Sequence, residues 1–147
     1  MTVSDFSAIA ADIHKAVAAQ GFMQLVGAKL DSLAPGEAVL ILDRRPEVLQ
    51  HNGFFHGGVI AFLIDNGSTI AAGTMFDRTR MTLTAEYKLN FLAPASGSRL
   101  ICRAKVLKPG RTLTVVEAKA YCLIEDEEKL VAAALATIAS AERPKAA

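Results

Sequence analysis

The order of apolar and polar positions divides this chain into stretches with two different periods. Phe6, Ile9, Ala10, Ile13 and Val17 recur at three- and four-residue intervals. That spacing predicts an amphipathic helix over residues 4–20, with Ser4 as N-cap and Gly21 as its stop. Ala28 to Leu33 and Ala38 to Asp43 are short apolar runs on either side of the turn pair Pro35-Gly36, and they read as strands. An irregular polar stretch, Arg44 to Gly58, leads into the apolar segment Val59 to Met75, read as a long buried helix. Beyond it the period falls to two. Leu83, Ala85, Tyr87, Leu89 and Phe91 alternate with Thr82, Thr84, Glu86, Lys88 and Asn90, the pattern of a half-buried strand. Leu100 to Leu107 and Thr112 to Ile124 read as two more strands joined at Pro109-Gly110. Glu125 to Glu128 reads as an acidic loop, and Leu130 to Ala139 as a central strand despite its helix-favouring alanines. Residues 142–147 read as a frayed tail.

One α+β domain over residues 1–147 accommodates this order. An N-terminal helix precedes an antiparallel sheet, expected as a meander of about four strands after the first pair, wrapped around one long central helix. The chain shows no internal repeat and no linker.

Composition narrows the picture. Of 147 residues, 52% are hydrophobic and 21% charged, far from the signature of disorder. This much apolar surface on a small domain suggests burial against a second copy. Sixteen Lys and Arg against 15 Asp and Glu give a net charge of +1, which supplies no basic footprint for nucleic acid. Cys102 and Cys122 lie in strand-like runs outside any Cys-x-x-Cys motif and read as reduced, buried thiols. Met1 to Asp5 shows no secretory signal pattern, so a cytoplasmic protein is expected. The 20 residues Gly57 to Phe76 carry one charge, Asp65, and four glycines. A charge at the centre of a spanning helix costs about 2.5–3.5 kcal/mol, so this segment reads as a buried helix rather than a membrane span.

Asp65 then demands an explanation, because an ionised carboxylate among Phe62, Leu63, Ile64 and Ile70 is expensive to bury without partners. Such a group belongs at a cleft or an interface. His56-Gly57-Gly58 stands where the same helix begins. Residues without side chains there let a substrate approach unsatisfied backbone N–H groups, whose partial positive charge suits an oxygen gaining negative charge. Gly57 and Asp65 are eight residues apart, about 12 Å along a helix. Reacting atoms must come within about 3.5 Å, so if both groups serve one substrate they come from two subunits.

The run Gln50-His51-Asn52-Gly53-Phe54-Phe55-His56-Gly57-Gly58, with Asp65 seven residues later, resembles the hot-dog-fold acyl-CoA thioesterases, specifically the phenylacetate-pathway (PaaI-like) branch. Ala93-Pro94-Ala95 and Lys108-Pro109-Gly110-Arg111 fall where that family has similar features, so the resemblance covers nearly the whole chain. It implies a homodimer with continuous sheets, assembled as a dimer of dimers, acting on acyl-CoA without a metal or a resident cofactor. By the same resemblance Asp65 is the general base or nucleophile. The Gly57 amide of the facing subunit polarises the thioester carbonyl, His56 sits near the sulfur or holds the loop, and Thr84 orients the attacking water. Gln50 stands where many members have Asn, so either Gln50 or Asn52 serves as second carbonyl donor, beside Gly58. Phe54, Phe55, Phe62 and Leu63 are expected to line the acyl pocket. Lys108, Arg111, Arg44, Arg45 and Lys88 are the cations available to coenzyme A phosphates, against the plainer reading of solvated surface charge.

The residue types suit this chemistry. Thioester hydrolysis needs chiefly a placed base and an oxyanion donor. No Gly-x-Ser-x-Gly elbow is present. His51, His56 and Asp65 lack the i, i+4 pairing of helical metal ligands. Two alternatives differ in chemistry: a non-catalytic acyl-CoA-binding module, and a dehydratase or hydratase of the same fold. The second is disfavoured by Gly-Gly after His56 and a carboxylate seven residues on.

Overall fold

A computed structural model describes residues 3–143, with side chains from Phe6 onward. The elements are α1 (Val3–Ala18), α2 (Gly21–Val26), β1 (Ala28–Ala34), β2 (Glu37–Asp43), a 3-10 turn (Pro46–Val48), α3 (Gly57–Gly73), β3 (Arg80–Phe91), β4 (Arg99–Lys108), β5 (Leu113–Ile124) and β6 (Glu127–Glu142). All six strands form one antiparallel sheet in the order β1-β2-β4-β5-β6-β3, and α3 packs on it.

The reason α3 fills the sheet is its near absence of a polar face. Ile60, Leu63, Ile64, Ala71 and Ala72 are buried against Leu40, Leu100, Val116, Ala118 and Ile138 from the strands. Alanines of β6 that would favour a helix in isolation lie in an interior strand next to the edge strand β3, and Ala132, Ala134 and Ala136 are buried there. β6 pairs with β5 on one side and β3 on the other, so it is an interior strand as expected, one place in from the sheet edge.

Four expectations are corrected. First, Gly21 does not stop the first helix: α1 ends at Ala18, Ser4 lies inside it, and Gly21 opens α2. The helix that stops at a glycine is α2, at Gly27, whose φ of +76° lets its N–H reach the Gln24 and Met23 carbonyls. Second, the strands after α3 are not a simple meander. β3 pairs with β6 at the sheet edge, while β4 pairs with β2, because alternation states which face a strand buries and not which neighbour it takes.

Third, Glu127 and Glu128 belong to β6, and only Glu125-Asp126 make the turn, at φ 49° and 65°. Those left-handed angles match the strand twist of a tight hairpin. Fourth, β3 is an edge strand whose apolar set does not form the buried face: Leu83 is 51% and Phe91 56% exposed, while Thr82 and Thr84 are partly buried. Of the expected tail, Glu142 ends β6 and the Arg143 N–H donates to the Thr79 carbonyl, while residues 144–147 lie outside the described residues.

Candidate functional site

His56 caps α3. Its backbone is extended, and Nδ1 accepts the Gly58 N–H at 2.9 Å, so the neutral ring carries its proton on Nε2. The loop before it is pinned by backbone bonds. The Phe55 N–H donates to the Ala95 carbonyl and the His56 N–H to the Val48 carbonyl, each at 2.9 Å. Val59 and Ile60 donate to the His56 carbonyl, which leaves the Gly57 N–H without an acceptor among the described residues. A Cβ at Gly57 would come 3.3 Å from the Phe91 ring, so glycine keeps the approach to that amide open.

A cavity of about 510 Å³ lies beside this helix start, lined by Gln50, Phe54, Gly57, Phe91 and Pro94 among others. Gln50 and not Asn52 lines it. Asn52 is exposed in the Gln50–Phe54 turn, its N–H donating to Gln50 Oε1 at 3.3 Å. Phe55 reaches the same cavity but is buried in the core, while Gly58 is exposed at the helix start. The expected four-residue acyl wall is not assembled. Leu63 is fully buried in the core, and Phe62 packs edge to face on Phe22 at 4.7 Å between ring centroids.

Asp65 is half-buried two turns along α3. Thr84 Oγ1 donates to its Oδ1 at 2.5 Å, and Oδ2 has no partner among the described residues. This contact depends on an irregularity in β3. The register with β6 shifts between Thr84 and Glu86, a bulge that adds one residue to β3. Before it, Thr82 and Thr84 point at α3, where the Thr82 hydroxyl bonds the Thr69 carbonyl at 3.3 Å. After it, Leu89 packs on the core and Phe91 covers Gly57. Strict alternation would place the threonines and these apolar residues on opposite faces. The extra residue lets both sets face the helix.

The basic residues separate into two groups. The Arg44 guanidinium bonds the Ser96, Gly97 and Gly53 carbonyls, Arg45 bonds the Leu25 carbonyl, and Lys88 donates to Asn90 Oδ1. All three are engaged in holding loops or neighbouring side chains. Lys108 and Arg111 are exposed around the β4–β5 turn and do not line this cavity. Among the described residues no group of three His, Cys, Asp or Glu could hold a metal ion, and no helix is long and apolar enough to cross a membrane.

The pattern has relatives. A family model described as the thioesterase superfamily matches residues 52–129, spanning the Asn52–Gly58 run, α3 and the strands behind it. This chain belongs to the thioesterase superfamily. A crystal structure of a thioesterase family protein from Silicibacter pomeroyi is 36% identical with a TM-score of 0.89, covering 92% of this chain and 99% of that one. A variant of the phenylacetic acid degradation protein PaaI from Thermus thermophilus is 26% identical, with a TM-score of 0.72 over 82% of this chain and 98% of that one. Human acyl-coenzyme A thioesterase 13 is 32% identical over 97 residues, 65% of this chain and 69% of that protein. The sheet wrapped on α3 is thus the hot-dog fold that the resemblance implies.

Sequence reasoning missed two features of this thioesterase-superfamily member. Thr69 stands one helical turn after Asp65, and its hydroxyl bonds the Asp65 and Asn66 carbonyls at 3.0 and 2.9 Å. Asn66 is buried with its side-chain Nδ2 unpaired. The signal for Thr69 was available, since i+4 places it on the Asp65 face; Asn66 carried none, because one amide in an apolar helix does not reveal whether it has a partner.

Proposed function

We propose that this protein hydrolyses acyl-CoA thioesters to free acid and coenzyme A at a site shared by two copies of the chain. The observation that carries the reading is the Asp65 carboxylate, oriented through one oxygen by Thr84 and open at the other. The open oxygen takes a proton from water attacking the thioester carbon, or attacks that carbon itself. The Gly57 amide, at the positive end of α3, stabilises the oxygen that becomes negative. Gln50 lies beside Gly57 and serves as second donor to the carbonyl. His56, fixed as a cap, holds the Gly57 amide in place. Lys108 and Arg111 are the cations left over for the coenzyme A phosphates.

Gly57 and Asp65 lie in one helix, about 12 Å apart, so the two groups meet only between subunits. The β3 edge supports this arrangement. Twelve residues long, with Leu83 and Phe91 exposed, it is a template for pairing with a second β3. Thr84 lies at Asp65 and Phe91 at Gly57. A two-fold axis that brings Asp65 to Gly57 of the partner subunit therefore sets Thr84 opposite Phe91 of the partner subunit, with the axis at Tyr87-Lys88.

The test is thiol release from short, medium, long and aromatic acyl-CoAs by wild type and Asp65→Ala. Turnover should fall by at least about 100-fold in the variant while it stays folded and still binds acyl-CoA. Unchanged turnover would remove Asp65 from the mechanism. Binding without turnover in the wild type would instead identify an acyl-CoA-binding module.

A further inference from the structure

The cavity beside the start of α3 is apolar apart from Gln50 and the Gly57 backbone. Among the described residues lining it only Gln50 carries a polar side chain; Phe54, Ile60, Phe91 and Pro94 are among the others. Phe55 and Ile60 belong to the core, at 2% and 3% exposure, and serve the fold whatever the site does. Phe91 differs from them. It ends the edge strand β3 and is 56% exposed, so folding of one chain gains little from it.

The Phe91 ring nevertheless lies on Gly57. Its Cζ and Cε1 come 3.3 and 3.5 Å from the place a Gly57 Cβ would take, and Cε2 comes within 4.0 Å. Two features of the chain produce this contact. A side chain at position 57 would crowd the ring, and the bulge between Thr84 and Glu86 turns the end of β3 onto the helix face. With the two-fold axis at Tyr87-Lys88, the same ring meets Thr84 of the partner subunit. It then stands between the amide of its own chain and the carboxylate of the other.

A donor stabilises a developing oxyanion strongly only where water does not compete for it. In water one hydrogen bond is exchanged for another with a small net gain, whereas in a low-dielectric pocket the same donor is worth far more. The Gly57 N–H has no acceptor among the described residues, so water reaching it would have to leave before a thioester carbonyl arrives.

We propose that Phe91 is a positioning residue for thioester hydrolysis: its ring keeps water off the Gly57 amide and so makes that amide an effective donor to the carbonyl oxygen. The proposal rests on the reading of Gly57 as the oxyanion donor of a site shared by two copies. It adds that the strength of this donor depends on a side chain that makes no hydrogen bond itself. That side chain is more than half exposed until a second copy covers β3.

The test reads the carbonyl itself. Benzoyl- and hexanoyl-coenzyme A, isotopically labelled at the carbonyl carbon, are bound to Asp65→Ala protein, which retains Gly57. The carbonyl stretch is recorded by isotope-edited infrared difference spectroscopy. A working donor moves the band below its position in buffer. Adding Phe91→Ala or Phe91→Gln should return it most of the way, while Phe91→Leu, apolar and of similar bulk to glutamine, should keep it shifted. With Asp65 intact, kcat should fall about 10-fold in the alanine and glutamine variants with KM little changed, and the leucine variant should retain most of it. Sedimentation at assay concentration shows which variants pair. If the alanine variant does not, the glutamine and leucine variants carry the test, since both fill the seam and differ in polarity. Equal band positions in all four proteins overturn the role of Phe91 alone. Loss in Phe91→Leu as large as in Phe91→Ala overturns it too, because packing and not water exclusion would then be at work. An unshifted band in bound Asp65→Ala protein, or no binding of either thioester, overturns the Gly57 reading with it.

Discussion

Thr84 on β3 donates a hydrogen bond to the Asp65 carboxylate on α3, and does so from the last position before the β3 bulge. Nineteen residues separate the pair in sequence, and the extra residue at the bulge is what lets Thr84 share a face with Phe91, the side chain covering Gly57. A hydrogen bond to a charged group is worth about 1.5–3 kcal/mol. Thr84→Val should therefore lower kcat by about 10- to 100-fold with KM little changed, and Thr84→Ser should recover most of the loss. Steady-state kinetics on the three proteins checks this. Equal activity in the valine variant would mean the carboxylate needs no help from β3.

Active sites built from two subunits can be restored by mixing. Gly57→Pro deletes the amide at the first position of α3, where proline suits a helix, and Asp65→Ala deletes the carboxylate. Each should be inactive alone. Subunits mixed randomly should form hybrid dimers holding one intact site, so about a quarter of wild-type activity returns at equal mixing. Absence of recovery after subunit exchange, followed by mass spectrometry, would mean that the two groups do not act on one substrate across the subunits.

The pairing register at the β3 edge can be read directly. With the two-fold axis at Tyr87-Lys88, Lys88→Cys subunits should be joined by a short bis-maleimide. Arg80→Cys, near the other end of β3, should not cross-link. Denaturing electrophoresis distinguishes the two. Cross-linking at Arg80 instead would move the axis and separate Asp65 from Gly57 of the partner subunit.

Native cysteines should not interfere with that measurement. Cys102 is enclosed between α3 and the sheet, and burial pushes its thiol up to about 12, so almost none is thiolate at pH 8. Burial raises Cys122 as well, with the Gly97 N–H on its sulfur pulling the other way. Neither should react with a thiol reagent at pH 8 until denaturant is added, when both should titrate. Reaction of Cys102 in the native protein would show that the α3 packing opens.

A stability prediction follows from the same packing. Leu63 is fully buried at the middle of α3, and Leu63→Ala should cost about 2–5 kcal/mol in denaturant unfolding. A loss under 1 kcal/mol would mean the helix shifts to refill the space.

Much of this protein was legible in its sequence, for reasons that are local. Helical and two-residue periods mark the positions of α3 and the strands, because burial on one face imposes them on the side chains whatever the neighbour. Asp65 stood out because a lone carboxylate in an apolar helix is expensive, and Gly57 because glycines at a helix start leave its amides accessible. The run from Gln50 to Gly58 gathers seven of the candidate site residues, so the resemblance could name them together. Tertiary structure alone decided what depends on partners distant in the chain. It placed β3 beside β6, since alternation does not name a neighbour. It turned Thr84 onto Asp65 through a bulge, since one extra residue reverses which face a side chain takes. It put Gln50 and not Asn52 beside Gly57, sent Phe62 and Leu63 into packing, and left Asn66 enclosed without a partner, since whether a buried amide is satisfied depends on every element that closes around it.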